Sequence, residues 1–382
     1  MKEKKAKENQ GDDRHLFLPD TSKGRSIFPD YLYYFSLHFF PLMLHGHGDD
    51  LHDCGHAIRA NFSSNIFAAT DLTALQRHLA AHLDVIGRYP EPEPRTLEAR
   101  WAASLGIRPE EICVTNGATE AIYLIAQTFR GVTSYVRQPT FSEYADACRM
   151  HGHRVRSVFT DDAIDDVPDL VWLCNPNNPT GEVRDRNTLL RLIDAHPTVC
   201  FVIDESYGAF TRQPLPTAAE ITERSNAIVI RSATKRHAVP GLRLGCLTAS
   251  DALIERIRVQ RMPWSVNALA VEAGMYFLSE QTPMQPSIDE LLTERDRLMD
   301  GLAALKIAEL WPTDTHFFLA RLRMGTAAVM KHYLIQEHGL LIRDASNFEG
   351  LDAAFVRIAT QGRADNDLLI QSLSQWKHTY FS

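Results

Sequence analysis

A chain of 382 residues, 45% hydrophobic and 23% charged, can bury more than one core and has the make-up of an ordinary globular protein. Its net charge of -8 argues against nucleic acid as the main partner, while leaving room for a local basic site that takes a small anion. No apolar run reaches a membrane span, and Cys54, Cys113, Cys148, Cys174, Cys200 and Cys246 are scattered without a C-x-x-C pair, as in a reduced, cytoplasmic protein.

Residues 1–26 are polar and start Lys-rich, which predicts disorder. Residues 28–44 (FPDYLYYFSLHFFPLML) are aromatic-rich but broken by Pro29, Asp30 and Pro41. A signal peptide fits them poorly, because the apolar part lies late, contains a charge and His38, and precedes no small-residue cleavage site. They read better as a docking arm, or as an extension upstream of a start at Met43. Residues 45–56 (HGHGDDLHDCGH) invite a metal, and His52 and His56 can share a helix face. No second ligand cluster of recognisable spacing follows, so no metal is expected. A glycine-flanked His45 in a loop, where backbone can approach an anion, is the better use of the segment.

NFSSN at 61–65 is a polar turn, and the spacing beyond it predicts an amphipathic helix over 71–86. The prolines at 90, 92 and 94 break it. A helix then resumes from Thr96, placed as N-cap, to Leu105. Residues 111–114 form a strand that leads through Thr115-Asn116-Gly117-Ala118-Thr119 into a helix from Glu120 to Phe129, a unit that aims free N–H groups at one point. Further apolar strands each end at informative polar residues: 135–136 before Phe141, 170–174 before Asn178, 200–203 before Asp204 and Tyr207, and 228–230 before Lys235. Alternating strands and helices of this kind predict an α/β fold with a mostly parallel, doubly wound sheet, which binds ligands just past its strand ends. After Pro263, helices at about 266–279, 287–305, 326–338 and 363–378 mix with strands at 316–321, 340–343 and 354–359, an α+β pattern. The organisation expected is therefore an extension (1–42), an arm with part of a small domain (43–88), a large domain (89–265) and a small domain (266–382).

The chemistry gathers at 228–247 (IVIRSATKRHAVPGLRLGCL). An amine on Lys235, partly desolvated and near a second cation, keeps a lone pair free to attack a carbonyl. Ser232, Thr234 and Arg243 beside it suit a phosphate. One cofactor offers both an aldehyde and a phosphate: pyridoxal 5'-phosphate (PLP). A carboxylate such as Asp204 at the end of an apolar strand needs a cation, which a protonated pyridine nitrogen supplies. Asn178 and Tyr207 can donate to a phenolate oxygen, and Phe141 can stack on a ring. Taken singly, each has a plainer reading as helix cap, turn or core residue.

In order and separation, N-P-N-N-P-T-G (175–181), D-E-S-Y (204–207), S-x-T-K (232–235) and G-L-R-L-G (241–245) resemble the fold-type-I PLP enzymes of the aminotransferase class. The resemblance covers nearly everything after His45. It implies Lys235 as the lysine that carries the cofactor aldehyde, Asp204 on the pyridine nitrogen, and Asn178 with Tyr207 on the phenolate oxygen. It also implies Ser232, Thr234, Arg243 and the Ala118-Thr119 turn on the phosphate. Such enzymes are homodimers in which a tyrosine placed like Tyr89 reaches the partner's cofactor phosphate.

Within the class the chain looks most like the histidinol-phosphate aminotransferase branch, and there most like the threonine-phosphate decarboxylases of cobalamin synthesis. The residues that carry this are 234–245, MPWSVNALA (262–270), His45-Gly46, FSSNI (62–66), and Arg343 with Arg357 in IRDASNFEGLDAAFVRIA. By this likeness Arg357 would grip a substrate carboxylate. Arg343, His45 and Gly46 would hold its phosphate, with Asn65 and Asn178 lining the pocket. HGHGDD is longer and more acidic than the H-G-G of the pattern, and residues 1–42 have no counterpart in it.

Overall fold

The continuous apolar runs become the centre of one large sheet. The computed structural model describes residues 51, 55–160, 168–279 and 286–381. In chain order its strands are β1 (Ala60–Asn61), β2 (Ile112–Thr115), β3 (Thr133–Arg137), β4 (Arg154–Val158), β5 (Leu170–Cys174), β6 (Cys200–Asp204), β7 (Ala227–Ser232) and β8 (Gly245–Ala249). There follow β9 (Ala308–Leu310), β10 (Phe317–Leu322), β11 (Leu340–Leu341), β12 (Arg343–Asp344) and β13 (Phe355–Ala359).

Strands β2 to β8 form a seven-stranded sheet in the order β2-β8-β7-β6-β5-β3-β4. From β4 to β7 every pairing is parallel, and β8 runs antiparallel to both of its neighbours. β5 and β6 are buried at every residue because helices cover both faces. On one side lie Gly117–Thr128, Glu143–Met150 and Asp251–Arg258; on the other lie Arg186–Ala195 and Ala218–Thr222. Burial on two faces explains why these strands read as unbroken apolar runs rather than alternating ones.

The second sheet is antiparallel, in the order β12-β13-β10-β9. Helices Ile288–Leu305, Ala327–Tyr333 and Arg363–Phe381 pack with it around Phe318, Leu298 and Trp376. β1 pairs in parallel with β11, and the Phe62 carbonyl accepts from the Ala359 N–H at 2.9 Å. The NFSSN turn is thereby fixed beside the C-terminal strands.

Several boundaries differ from expectation, each for a local reason. The strand expected at 340–343 is two strands, β11 and β12, which pair with different partners. The second helix begins at Arg95 after Pro94, not at a Thr96 cap, because a proline is preorganised to start a helix and needs no N–H partner. Thr96 instead gives both its hydroxyl and its N–H to Glu91. The helix expected over 71–86 stops at Ala81 and tightens into a 3-10 turn at Leu83–Gly87. The one expected over 326–338 is α-helical only to Tyr333, then widens into a π turn that ends at Gly339 with φ +63. β1, β4, β8 and β9 were not foreseen. Among the described residues no helix is long and apolar enough to cross a membrane.

Candidate active site

A cavity of about 390 Å³ opens beyond the ends of β5, β6 and β7, where a doubly wound sheet leaves its crevice. Asn178 follows β5, Asp204 ends β6 and Ser232 ends β7. One short helix, Ala233–Arg236, then turns Lys235 toward the opening. Its Nζ donates to the carbonyl of Ser64 at 3.2 Å and lies 5.9 Å from the centre of the Tyr207 ring.

At one end of the cavity the donors suit an anion. The helix Gly117–Thr128 starts there, presenting N–H groups that have no partner within the helix. Gly117 sits at φ +78, and a Cβ on it would come within 2.7 Å of the Arg243 guanidinium. A Cβ on Gly245 would come within 2.9 Å of the Ala118 nitrogen. Both glycines are therefore needed for the guanidinium and the neighbouring strand to close on the helix start. Ser232, Thr119 and Thr234 share this wall, and the Thr234 hydroxyl is buried with no hydrogen-bond partner. A buried hydroxyl left open beside a guanidinium and a helix N-terminus is a donor set for a phosphate.

At the other end Asp204, only 4% exposed, accepts from the Tyr144 hydroxyl and the Ser206 N–H, both at 2.8 Å. Burial raises its pKa, against those hydrogen bonds and the nearby Lys235 charge. Tyr144 is itself held by stacking on Trp172, and Phe141 meets its ring edge-on at 5.8 Å while lining the cavity. Burial pushes the Tyr207 phenol up to about 12, which Arg357 partly opposes, so at neutral pH it is a hydrogen-bond donor. An aldehyde-reactive amine, an anion cradle and a buried carboxylate for a ring nitrogen are what PLP requires, and these residues fit it.

A second cation, Arg357, also faces the cavity. It lines the cavity at 4% exposure, donating to Asn178 Oδ1 and the Ser63 carbonyl, with Nε left open. Among the described residues no carboxylate pairs with it, and burial lowers its pKa to about 10. A buried guanidinium without a counter-ion invites an anion. Arg343 lies opposite it on β12, 6% exposed, bonded to Asn347 at 2.7 Å and packed against the Phe348 ring.

Most of the expected residues thus converge on one cavity. Arg343 and Asn65 sit just behind its wall rather than in it. Asn65 is fully buried at φ +52 and approaches the Tyr207 phenol, but neither amide atom completes a hydrogen bond. Tyr89 stands apart, 84% exposed and 5.4 Å from the Trp264 ring. His45 and Gly46, with the histidines at 47 and 52, lie outside the described residues. Sequence reasoning missed Tyr144 and the Ser64 carbonyl. Tyr144 was signalled by its spacing, three residues after Phe141 at a helix start; a backbone carbonyl leaves no mark in a sequence.

Residues 60–373 match the model of the family "Aminotransferase class I and II". The threonine-phosphate decarboxylase of Salmonella typhimurium is 31% identical over 328 residues, covering 82% of this chain and 90% of that protein. The histidinol-phosphate aminotransferase of a Thermoanaerobacter species is 30% identical over 301 residues, covering 75% and 84%. Among solved structures, the L-threonine-O-3-phosphate decarboxylase of Porphyromonas gingivalis superposes with a TM-score of 0.81 at 39% identity, covering 84% of this chain and 99% of that one.

Proposed function

The chain belongs to the aminotransferase class I and II family of PLP-dependent enzymes, and we propose that it decarboxylates L-threonine O-3-phosphate. The product is (R)-1-amino-2-propanol O-2-phosphate, a building block for cobalamin synthesis. The observation that carries this reading is Arg357, a buried cation facing the cavity with no carboxylate partner among the described residues, with Arg343 alongside. Two guanidinium groups on adjacent strands suit a short substrate that ends in two anions, a carboxylate and a phosphate. The names of the Salmonella and Porphyromonas relatives support the same substrate.

When bound, PLP supplies an electron sink for the pair left on the substrate's α carbon. Lys235 would hold the cofactor and return a proton to that carbon from Nζ. Asp204 would stay ionised beside the ring nitrogen, kept in place by Tyr144, while Asn178 and Tyr207 donate to the phenolate oxygen. Ser232, Thr234, Arg243 and the start of the 117–128 helix would hold the cofactor phosphate. Arg357 would hold the substrate carboxylate, and Arg343, with His45 and Gly46, its phosphate. Fixing both ends sets which bond at the α carbon stands perpendicular to the ring and breaks. The working unit is a cytoplasmic homodimer, with Tyr89 reaching the partner's cofactor phosphate.

A second reading, transamination of histidinol phosphate, is favoured by the Thermoanaerobacter relative at 30% identity. An end-point assay on PLP-loaded protein separates the two. Carbon dioxide and aminopropanol phosphate should form from threonine phosphate without any keto acid. Glutamate formed only from histidinol phosphate with 2-oxoglutarate would move the assignment to the aminotransferase. Lys235→Ala should abolish turnover; continued activity would remove the lysine from the mechanism.

A further inference from the structure

Away from the cavity, the helix Thr73–Ala81 meets the helix Ala268–Ser279 along an apolar seam of Leu75, Leu79, Ala273 and Tyr276. At the edge of that seam three polar side chains converge. His78 lies in the last turn of the first helix and His82 caps its C-terminal end four residues on, with their rings 4.3 Å apart. Glu272 comes from the other helix, with an oxygen 2.7 Å from His78 Nε2 and 4.0 Å from His82 Nδ1. One nitrogen from each histidine and one carboxylate oxygen all lie within 4.8 Å of one another.

From this arrangement we propose a zinc-class metal site formed by His78, His82 and Glu272. The chemistry of the donors fits: two imidazoles and one carboxylate form a three-ligand zinc set, with the fourth position left for water. The second shell fits as well. His82 Nδ1, the nitrogen 4.0 Å from Glu272, also lies 2.8 Å from the His78 carbonyl, which can only accept, so in the neutral ring Nδ1 bears the hydrogen and the ion must take Nε2, toward which the His82 ring has to turn. A tetrahedral ion with bonds of about 2.0–2.2 Å needs its ligand atoms roughly 3.3–3.5 Å apart. The His78–Glu272 contact must open slightly and the others close, which partly exposed side chains do by small rotations. Among the described residues Glu272 has no Lys or Arg partner, so the two histidines are its only salt-bridge partners there. The ion would staple the two helices across a seam that also contains Val239 and Leu242, in the loop that delivers Arg243.

The test is a zinc titration of the full-length, PLP-loaded protein after chelator treatment, with bound metal counted per chain. His78→Asn and His82→Asn keep the helix while removing one ligand each, and the cofactor absorbance reports that each variant is folded and loaded. Wild type should bind zinc at micromolar concentration or tighter, and its melting temperature should rise with the metal. Each variant should bind one equivalent fewer, or bind that equivalent at least about 100-fold more weakly, and lose the rise. Counting the lost equivalent separates this site from any zinc held by the other histidines of the chain. Unchanged stoichiometry and affinity in both variants, or no bound zinc in wild type, would overturn the proposal.

Discussion

Arg343 and Arg357 stand directly opposite each other on the antiparallel strands β12 and β13, both buried. Like charges in that relation destabilise a sheet, and the Arg343 guanidinium disfavours the charged form of Arg357. The arrangement makes sense where anions are to be bound. Substitution should therefore separate the two ends of the substrate. Arg357→Ala should lower kcat/KM for threonine phosphate by about 100–1000-fold, the scale of a lost charge-assisted bidentate contact left partly uncompensated. Arg343→Ala should act chiefly on KM and narrow the preference for threonine phosphate over threonine. Steady-state kinetics on both substrates checks this.

Tyr144 positions Asp204 and lies against it through one hydrogen bond. Tyr144→Phe should keep the cofactor bound, lower turnover by roughly tenfold as expected for one buried hydrogen bond, and shift the pH dependence of the cofactor absorbance. Asp204→Asn should cost far more. Equal losses in the two variants would contradict a supporting role for Tyr144.

Glu98 is fully buried between Arg261 and Arg258, at 2.8 and 2.9 Å, and also accepts from the Val114 N–H at 3.0 Å. Glu98→Ala leaves two cations without their shared partner and should destabilise the protein by about 3–5 kcal/mol, the cost of breaking a buried pair. Urea denaturation measures it.

Acid stability follows from two histidines. Burial lowers the pKa of His316 from 6.5 to about 3 and that of His237 to about 4. Below pH 6.5 the unfolded chain takes up protons on these rings that the folded chain does not. Full stability is thus present above 6.5 and declines as pH falls toward those values, by up to about 1.4 kcal/mol per pH unit for each ring. His237→Phe would preserve the packing on Phe277 and should flatten the fall in melting temperature between pH 6.5 and 4.5.

Much of this was legible in the chain because the carriers of the chemistry sit where one strand hands over to a turn. Asp204, Ser232 and Lys235 follow apolar runs that can only be buried strands, so their polar side chains were bound to gather at one edge. Arg343 and Arg357 were legible as flanking apolar residues, though not their cross-strand pairing, since register depends on partners far apart in sequence. β8 was hidden because Gly245–Ala249 completes the lysine segment and reads as its continuation. The convergence of His78, His82 and Glu272 was hidden for a different reason: Glu272 lies 190 residues away from His82 and joins it only through the packing of two helices.

Which bond breaks at the α carbon is the central question, and the fate of an α-deuterium answers it. PLP-loaded protein would be given L-threonine O-3-phosphate deuterated at the α carbon, and the product read by mass spectrometry. Decarboxylation predicts aminopropanol phosphate that keeps the deuterium and gains one proton from solvent. Loss of the deuterium to water, with the carboxylate retained, would contradict the account and point to transamination at the same site.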